Sequence, residues 1–429
     1  MKRILVFSWF YPPINSSEGL VTFKLLGSSR FAYDVFTQKS VDTWSYGASM
    51  GFPDRGNVRA IYARSTTLAD WEREAFRYFA AHRDEYDLIM TRSMPPEVHA
   101  VGLRIKKRYP GVGWIASFGD PIKSNPFYHL GYDLFPPFSM GNLRNRRKGL
   151  RFRFSLRRIA RDCLWRLRCP GTVRTRRRLI RIEDGTIARA DRLVFNDRSE
   201  LRLMARTKAA RAKSVLIRHS YDASLFPGLP SALPRDKQRF VFVGQLNFIR
   251  KAEPLLRGIR ELRDSVEDLA ERAEFVFYGD MPESDMAYIV RNGLTELVRY
   301  EKPVSYRESL RLMREADWVV HIDADTSAVT EENVFFAGKL ADYFGAGTRI
   351  LAVTMQRGDA VDALRRAGAL VLSYSASEIK EYLYLILYQG WQARMDRAYT
   401  GRYDARTVAG EFDREVITAM ENRKRVENA

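Results

Sequence analysis

One stretch of the sequence, Val320–Thr354, constrains the fold of this chain more than any other. With the two residues before it, it comprises an apolar run, a polar loop, a helical segment, a glycine-containing break and a second apolar run: Trp318–Ile322, Asp323–Asn333, Val334–Phe344, Gly345-Ala346-Gly347 and Ile350–Val353. Short apolar runs of this kind are typical of buried parallel strands. The order predicts a βαβ unit whose loop and helix start lie at the carboxyl end of a sheet, where open α/β sheets bind ligands.

Two residues of the helical segment suit the chemistry of a nucleotide-sugar site. Lys339 and Asp342 are three residues apart and therefore share one helix face. A helix N-terminus attracts phosphate through its free N–H groups and its positive dipole end. A lysine adds charge for a phosphate, and a carboxylate can bind ribose hydroxyls. The alternative is an ordinary surface helix with an i,i+3 ion pair, which is a common arrangement.

The rest of the chain alternates strand and helix patterns, which argues for parallel, doubly wound sheets. In the first half, strands are predicted at Ile4–Phe10, Leu88–Thr91, Trp114–Phe118 and Arg192–Asn196, and helices at Leu20–Tyr33, Leu68–His82 and Glu97–Arg108. After the linker Pro227–Pro234 the pattern restarts, with strands at Phe240–Gly244 and Glu274–Gly279 and helices at Ala252–Asp264, Tyr306–Ala316, Ser377–Tyr388 and Ala405–Met420. At 429 residues, the chain is long enough for two such domains.

The net charge of +19 favours a partner that carries phosphates. The distribution of this charge along the chain narrows the range of possible partners. Residues 144–181 contain sixteen Arg or Lys and one acidic residue, Asp162, so this segment contributes +15 of the total. Apolar residues recur within it at steps of three and four: Phe152, Leu156, Ile159, Cys163 and Leu167. This pattern predicts a basic amphipathic helix that lies on an anionic membrane surface. A core-packed helix with a solvated basic face, or an RNA-binding segment, remains an alternative.

Cysteine content and hydropathy favour a reducing, aqueous compartment. The two cysteines, Cys163 and Cys169, form no disulfide framework or zinc-binding spacing. The sequence contains no run of 18 apolar residues, which is about the length that a helix needs to span a bilayer. We therefore expect a cytoplasmic protein that associates peripherally with the inner face of a membrane.

Three further loops follow predicted strands and carry candidate ligand-binding residues. The first, Tyr11–Gly19, contains Ser17 and Gly19, whose small size permits a ligand to approach the backbone. The second places Asp120 before a proline, where it is either a polar contact to a substrate or an ordinary turn residue. The third carries Gly279, where backbone contact with a nucleotide base competes with an ordinary turn.

The loop Val243–Lys251 opens the second domain and carries two candidate cations, Arg250 and Lys251. Preorganised cations at a developing phosphate charge can be worth roughly 3–4 kcal/mol for one good donor. The alternative for Lys251 is a solvated lysine at a helix start.

These motifs resemble the retaining glycosyltransferases of the GT-B fold, glycosyltransferase family 4. That family places a loop and a helix with two acidic residues, separated by seven others, between two strands. Asp342, five residues before Gly347, matches the second acidic position, Lys339 matches a family sub-pattern, and Val334 occupies the first acidic position. The family's Gly-Arg-Leu and following Lys correspond to Gly244, Leu246 and Lys251, with Gln245 in place of the arginine.

The resemblance implies an α/β GT-B architecture, with two Rossmann-like doubly wound domains facing a central cleft. Residues 1–222 would form the acceptor domain, with the Arg-rich insertion at 144–181. Residues 223–400 would form the nucleotide-sugar donor domain, and a helix in 401–429 would cross back to the first domain.

The implied activity is transfer of a sugar, with retention at the anomeric carbon, from a nucleoside diphosphate sugar to a saccharide acceptor. The acceptor would be lipid-linked, as in bacterial surface polysaccharide or lipopolysaccharide assembly. Neither a metal nor a cofactor is implied, so Lys251, Arg250 and Lys339 would meet the phosphate charge. Asp120 would contact the transferred sugar or acceptor, Asp342 the ribose, and Ser17, Gly19, Gly244 and Gly279 would lie near the donor. No nucleic-acid partner is expected. The competing hypothesis is a basic membrane- or RNA-docking protein with a degenerate donor site.

Overall fold

The structure is a computed structural model that describes residues 2–14, 16–39, 55–123, 125–129, 170–226, 228, 235–247 and 249–427. The apolar stripe of the predicted basic helix, Phe152 to Leu167, lies outside these residues. Within them, no helix combines the length and the apolar character needed to cross a membrane. The chain divides into two compact units. Unit 1 comprises Met1–Ser220, Val334–Gly338 and Ala405–Ala429, and unit 2 comprises Tyr221–Asn333 and Lys339–Asp404.

Each unit is built on one parallel sheet. The sheet of unit 1 has the order β3-β2-β1-β4-β5-β6-β7. Its strands are β1 Arg3–Ser8, β2 Ala32–Thr37, β3 Val58–Tyr62, β4 Leu88–Arg92, β5 Trp114–Ser117, β6 Arg192–Phe195 and β7 Ser214–Leu216. The sheet of unit 2 has the order β10-β9-β8-β11-β12-β13. Its strands are β8 Gln238–Val243, β9 Ala273–Tyr278, β10 Val298–Glu301, β11 Trp318–Ile322, β12 Arg349–Val353 and β13 Leu370–Leu372.

Helices cover both faces of these sheets. Those of unit 1 that precede the domain linker are α1 Ser17–Gly27, α2 Leu68–Ala81, α3 Val98–Arg108, α4 Pro170–Arg189, α5 Arg198–Met204 and α6 Lys208–Ala212. Unit 2 contains α7 Glu253–Arg263, α8 Leu269–Arg272, α9 Glu283–Arg291, α10 Tyr306–Glu315, α11 Gly338–Ala346, α12 Asp359–Arg366, α13 Ala376–Gln389 and α14 Arg397–Thr400, with Gly338 of α11 assigned to unit 1. The last helix, α15 Ala405–Glu427, belongs to unit 1.

Alternation along β1 shows why the sheet of unit 1 carries helices on both faces. Leu5 and Phe7 pack into one apolar core together with α2 and α3. Ile4 and Val6 point to the opposite face and pack into a second core that includes α15. Successive side chains of a strand point to opposite faces, so a strand that is apolar throughout must be buried on both. The predicted α/β doubly wound class is confirmed.

The prediction for the region around the main motif was wrong in its details. The helix predicted at Val334–Phe344 begins at Gly338, because the apolar run before it packs in unit 1, where Val334 and Phe336 are buried. The predicted break is also displaced, since the helix runs through Ala346 and the chain turns at Gly347, whose φ is 64°. Tertiary burial in unit 1 decided the first boundary, and the left-handed backbone of Gly347 decided the second.

The predicted helix Leu20–Tyr33 was also wrong in its second half. It ends at Gly27, and Ala32–Thr37 forms β2, which pairs with β1. Strands β3, β7, β10 and β13 were missed because they are three to five residues long and, in β3 and β10, partly exposed.

Candidate functional site

Both sheets follow the strand order of dinucleotide-binding folds, so each has a point at which the order reverses. In unit 2 this point lies between β8 and β11, and the loops after these strands begin at Gly244 and Asp323. In unit 1 it lies between β1 and β4. Ligands of such sheets bind beside the carboxyl ends of the strands at this point. The sequence-predicted residues of unit 2 belong to the loops and helix that follow β8, β9 and β11.

Two glycines allow the elements around the unit 2 reversal point to approach closely. Gly244 has a φ of 136° and Gly279 a φ of 125°, which L side chains rarely adopt. A Cβ on Gly279 would lie 2.0 Å from the carbonyl oxygen of Gly244. A Cβ on Gly244 would lie 2.0 Å from Nζ of Lys339. Gly244 therefore lets the Lys339 amine lie directly against the backbone that follows β8.

Lys339 is the second residue of α11, and its side chain ends in a buried position. Nζ lies 4.5 Å from the centre of the Phe242 ring and forms no hydrogen bond within the described part of the chain. Burial and, next, the charge of Arg250 lower the pKa of Lys339 to about 7, although Asp323 acts in the opposite direction. A buried amine without a hydrogen-bond partner is costly, so an anion that supplies one binds with a favourable free energy.

Asp323 fixes the loop after β11. Its Oδ2 accepts hydrogen bonds from Asn333 Nδ2 at 2.9 Å and Thr354 Oγ1 at 3.0 Å, and Nε2 of His321 lies 3.0 Å away. Burial would raise the pKa of Asp323, but His321, Arg250 and Thr354 together outweigh it and lower the pKa to about 2. Asp323 is therefore ionised, and its negative charge interacts with two nearby cations, Arg250 and Lys339.

The loop after β8 places its two candidate cations differently. Asn247 Oδ1 accepts the backbone N–H groups of Ile249 at 3.0 Å and Arg250 at 2.8 Å, which closes a turn. Nε of Arg250 is buried without a hydrogen-bond partner among the described residues. Lys251 is exposed and lies near Asp285, whose Oδ2 accepts the N–H of Ala252 at 2.8 Å. The structure thus brings Arg250 to Lys339 and Asp323, and places Lys251 near Asp285 of α9.

Asp342 is buried on the inner side of α11. Its Oδ1 accepts a hydrogen bond at 2.9 Å from the hydroxyl of Tyr306, the first residue of α10. Burial and the charge of Asp342 raise the pKa of Tyr306 well above its usual value, so Tyr306 keeps its proton and remains a donor. The carboxylate is therefore oriented by the protein, one helical turn after Lys339.

The first loop of unit 1 leads into α1. Ser16 caps this helix, because its Oγ accepts the N–H of Gly19 at 3.0 Å. A Cβ on Gly19 would lie 3.3 Å from backbone atoms of Tyr11, so glycine allows the helix to pack closely on the loop. Ser17 is exposed at the helix start.

A buried polar group, which we call the Arg92 cluster, joins Glu18, Arg92, Ser117 and His219 at the carboxyl edge of the unit 1 sheet. Arg92 donates to Glu18 Oε2 at 3.0 Å and to Ser117 Oγ at 2.7 Å. It also lies 3.5 Å from Nε2 of His219. Burial, Arg92 and Lys24 lower the pKa of His219 well below its usual value, so the ring is neutral. Because arginine can only donate, Nε2 is the acceptor and Nδ1 carries the proton.

Asp120 lies on a loop that is fixed by its neighbours. The N–H of Gly119 donates to Ser93 Oγ at 3.1 Å, and its carbonyl accepts from Asn196 Nδ2 at 2.8 Å. A Cβ on Gly119 would lie 2.6 Å from Oε1 of Glu18, so the loop lies against the Arg92 cluster. The structure therefore places the loop that carries Asp120 against Glu18.

Glu200, on α5, is fully buried, and neither of its carboxylate oxygens has a hydrogen-bond partner within the described residues. Burial, followed by the charges of Asp120 and Asp197, raises the pKa of Glu200 well above its usual value. The raised pKa thus favours the protonated form of Glu200 near Asp120.

Sequence reasoning missed several of these residues: Glu18, Arg92, Glu200, Tyr306 and Asp323. Two of them had a visible signal, because Arg92 ends a buried strand and Asp323 follows one directly. Polar residues at such positions converge at the ligand-binding edge of a parallel sheet. Glu200 and Tyr306 lie in ordinary helical patterns, which give no such signal.

The two units and their sheets define the GT-B fold. No protein-family model matches the sequence, and no curated protein matches it. The chain is similar in structure to sucrose-phosphate synthase from Thermosynechococcus elongatus, with a TM-score of 0.65, 12% identity and coverage of 98% of this chain and 100% of that one. It is also similar to Anabaena HepE in complex with UDP-glucose, with a TM-score of 0.59, 14% identity and full coverage of both chains. A third similar structure is WaaG, a glycosyltransferase involved in lipopolysaccharide biosynthesis, with a TM-score of 0.53, 13% identity and coverage of 96% and 94%.

Proposed function

We propose that this protein is a retaining glycosyltransferase that transfers a sugar from a nucleoside diphosphate sugar to a saccharide acceptor. Unit 2 binds the donor at the reversal point of its sheet. Unit 1 binds the acceptor, with Asp120 and the Arg92 cluster at its carboxyl edge. The GT-B fold and the complexes of HepE with UDP and UDP-glucose support this class of reaction.

The observation that carries the proposal is the buried Lys339 amine, which lies beside Arg250 and against Gly244 without a hydrogen-bond partner among the described residues. Two neighbouring cations, one of which lies at the start of α11, suit a diphosphate. They stabilise the negative charge that develops on the leaving nucleoside diphosphate when the bond to the sugar breaks. In this proposal they do so without a metal ion, and Lys251 adds positive charge at the exposed end of the turn.

The other site residues have distinct parts in the proposal. Asp342, oriented by Tyr306, accepts hydrogen bonds from ribose hydroxyls. The backbone around Gly279 lies beside the base, while Ser17 and Gly19 lie near the donor phosphates and the acceptor.

The acceptor is proposed to be lipid-linked, as in the assembly of bacterial cell-surface polysaccharide or lipopolysaccharide. The support is the concentration of sixteen basic residues in 144–181, which suits docking on an anionic membrane surface from the cytoplasmic side. Sedimentation with liposomes tests this part separately. The protein is expected to sediment with anionic vesicles and to stay in the supernatant with neutral ones, and equal recovery in both would contradict membrane docking.

The experiment for the activity itself is incubation of the purified protein with a panel of nucleotide sugars and with lipid-linked and free saccharide acceptors. Release of nucleoside diphosphate is measured, and the anomeric configuration of the product is read by NMR. Retention of configuration supports the proposal. A protein that neither binds nor consumes any nucleotide sugar would favour the docking-protein hypothesis.

A further inference from the structure

A pocket in unit 1 lies apart from the Arg92 cluster, beyond the ends of β2 and β3. Its volume is about 750 Å³, which is within the range of sites for small molecules. It is lined by the ends of these strands, the loop that follows β3 and one face of α2: Phe36, Ile61, Tyr62, Arg64, Ser65, Asp70, Arg73, Glu74, Arg77 and Tyr78. The pocket therefore opens at the carboxyl edge of the sheet, where open α/β folds bind ligands.

The acidic residues of this pocket are already bound by the protein. Glu74 accepts the backbone N–H groups of Arg64 at 2.8 Å and Ser65 at 3.0 Å, as well as the Ser65 hydroxyl. Asp70 accepts the Thr67 hydroxyl at 2.6 Å and pairs with Arg73. Both carboxylates therefore have hydrogen-bond partners within the protein. They also interact electrostatically with two arginines of the pocket, Glu74 with Arg64 and Asp70 with Arg77.

Two arginines of the pocket differ from the third. The side chains of Arg64 and Arg77 make no hydrogen bond or ion pair with the residues that the structure describes, and both are exposed to solvent. A guanidinium binds carboxylate and phosphate through two parallel N–H bonds. The pocket consequently offers two guanidinium groups whose N–H donors are free of hydrogen bonds to the described residues, in contrast to Arg73, and its three arginines outnumber its two carboxylates.

An aromatic ring is fixed beside these two arginines. The hydroxyl of Tyr62 donates to the carbonyl of Pro12 at 3.3 Å, which ties the ring to the first loop, while 48% of the residue remains exposed. An anchored, exposed aromatic ring provides a flat apolar face at low entropic cost. The C–H face of a sugar ring can pack on such a surface.

We propose that the pocket between α2 and the ends of β2 and β3 binds an acidic sugar unit of the acceptor, one that bears a phosphate or a carboxylate. Arg64 and Arg77 bind the anionic group, and Tyr62 packs on the sugar ring. The identification of this sugar as part of the acceptor rests on the proposed function. Binding of an acidic sugar in the pocket does not depend on that function.

The test is titration of the full-length protein with glucose 6-phosphate, glucuronic acid, glucose and inorganic phosphate, followed by saturation-transfer NMR and calorimetry. The wild type is expected to bind at least one of the two acidic sugars at least tenfold more tightly than glucose, and more tightly than inorganic phosphate. Which acidic sugar binds better distinguishes a phosphate from a carboxylate. The double variant Arg64→Gln/Arg77→Gln should lose at least tenfold in affinity, about 1.4 kcal/mol.

The matched control is Arg189→Gln/Arg366→Gln, which removes the same charge from exposed positions on α4 and α12. It should bind like the wild type. Tyr62→Leu should weaken acidic-sugar binding and leave phosphate binding unchanged. Failure of both acidic sugars to bind, phosphate binding as tight as theirs, or equal affinity in the two double variants would overturn the proposal. A UDP-induced thermal shift, measured in parallel, tests the proposed function independently of this pocket.

Discussion

At the scale of single residues, the candidate site depends on charged groups that the fold buries without full compensation. Lys339 and Glu200 are both buried with polar atoms that lack hydrogen-bond partners within the described chain. Such groups reduce stability and persist where the site uses them. Substitution of either residue is therefore expected to affect stability and function differently.

Replacement of Lys339 by methionine should raise the melting temperature at pH 7. The folded-state pKa of about 7 is below the value of about 10.4 in the unfolded chain, so the unfolded state binds more protons between these limits. Wild-type stability therefore rises with pH across this window, and the advantage of Lys339→Met should shrink as pH increases. Calorimetry at several pH values measures this, with the exposed Lys302→Met as the control. A lower melting temperature for Lys339→Met at pH 7 would contradict the assignment.

Replacement of Glu200 by glutamine should flatten the loss of stability that occurs as the pH rises above the ordinary carboxyl pKa of 4.5. The pKa of Glu200 is raised in the folded state, so the folded protein binds more protons once the pH exceeds the ordinary carboxyl pKa. Wild-type stability then falls as pH rises above that value, whereas Glu200→Gln lacks this contribution. Melting curves from pH 5 to 8 should diverge in favour of Glu200→Gln. Parallel curves, like those expected for the exposed Glu85→Gln, would count against a strongly raised pKa.

At the scale of elements, the site depends on where β8 and β9 end and where α11 begins. Gly244 and Gly279 hold backbone conformations that only glycine adopts easily, and Lys339 packs against the first of them. These contacts join the loops after two neighbouring strands to the start of one helix.

Gly244→Ala should therefore weaken nucleotide binding by more than any loss of folded protein can explain. The added methyl group would lie 2.0 Å from Lys339 Nζ and displace the amine from its position. We expect a UDP affinity at least tenfold weaker, measured by calorimetry on protein that is folded by circular dichroism. Gly390→Ala is the matched control, because its φ is also positive, at 70°, but a Cβ there meets no atom within 4 Å. Equal affinities in the two variants would refute this role for Gly244.

Sequence patterns predicted the long, fully buried strands and failed where tertiary packing decided the structure. Apolar runs such as Trp318–Ile322 were placed correctly, because a strand buried on both faces must be apolar throughout. The same apolar character misplaced the start of α11, since residues 334–337 belong to unit 1, where Val334 and Phe336 are buried, without being helical. Lys339 and Arg250 were singled out from spacing, but their proximity and the separate position of Lys251 depend on a turn closed by Asn247.

At the scale of the whole molecule, both units repeat one sheet topology and can divide two binding tasks between them. The units differ in the chemistry at their carboxyl edges. Unit 2 presents Arg250 and Lys339 beside one carboxylate, Asp323. Unit 1 presents the neutral His219, a buried Glu200 with a raised pKa and a paired Arg92. The first edge suits a diphosphate, and the second suits hydroxyl groups.

Sugar transfer by the full chain should persist after removal of divalent ions. In the proposed mechanism, side-chain cations and the start of α11 stabilise the leaving diphosphate. Activity in EDTA should equal that in magnesium or manganese, measured as release of nucleoside diphosphate. A large loss in EDTA that either ion restores would show that the phosphate charge is met by a metal.

The central claim is that Lys339 binds a diphosphate at the carboxyl edge of the unit 2 sheet, and calorimetric titration with UDP at pH 7 and pH 9 tests it most directly. A bound diphosphate raises the pKa of Lys339, so binding at pH 9 requires proton uptake by an amine that is mostly neutral. The wild type should therefore bind UDP more weakly at pH 9, by up to about tenfold per pH unit. Lys339→Met should bind weakly and equally at both pH values. Equal UDP affinity of wild type and Lys339→Met at pH 7 would contradict the account.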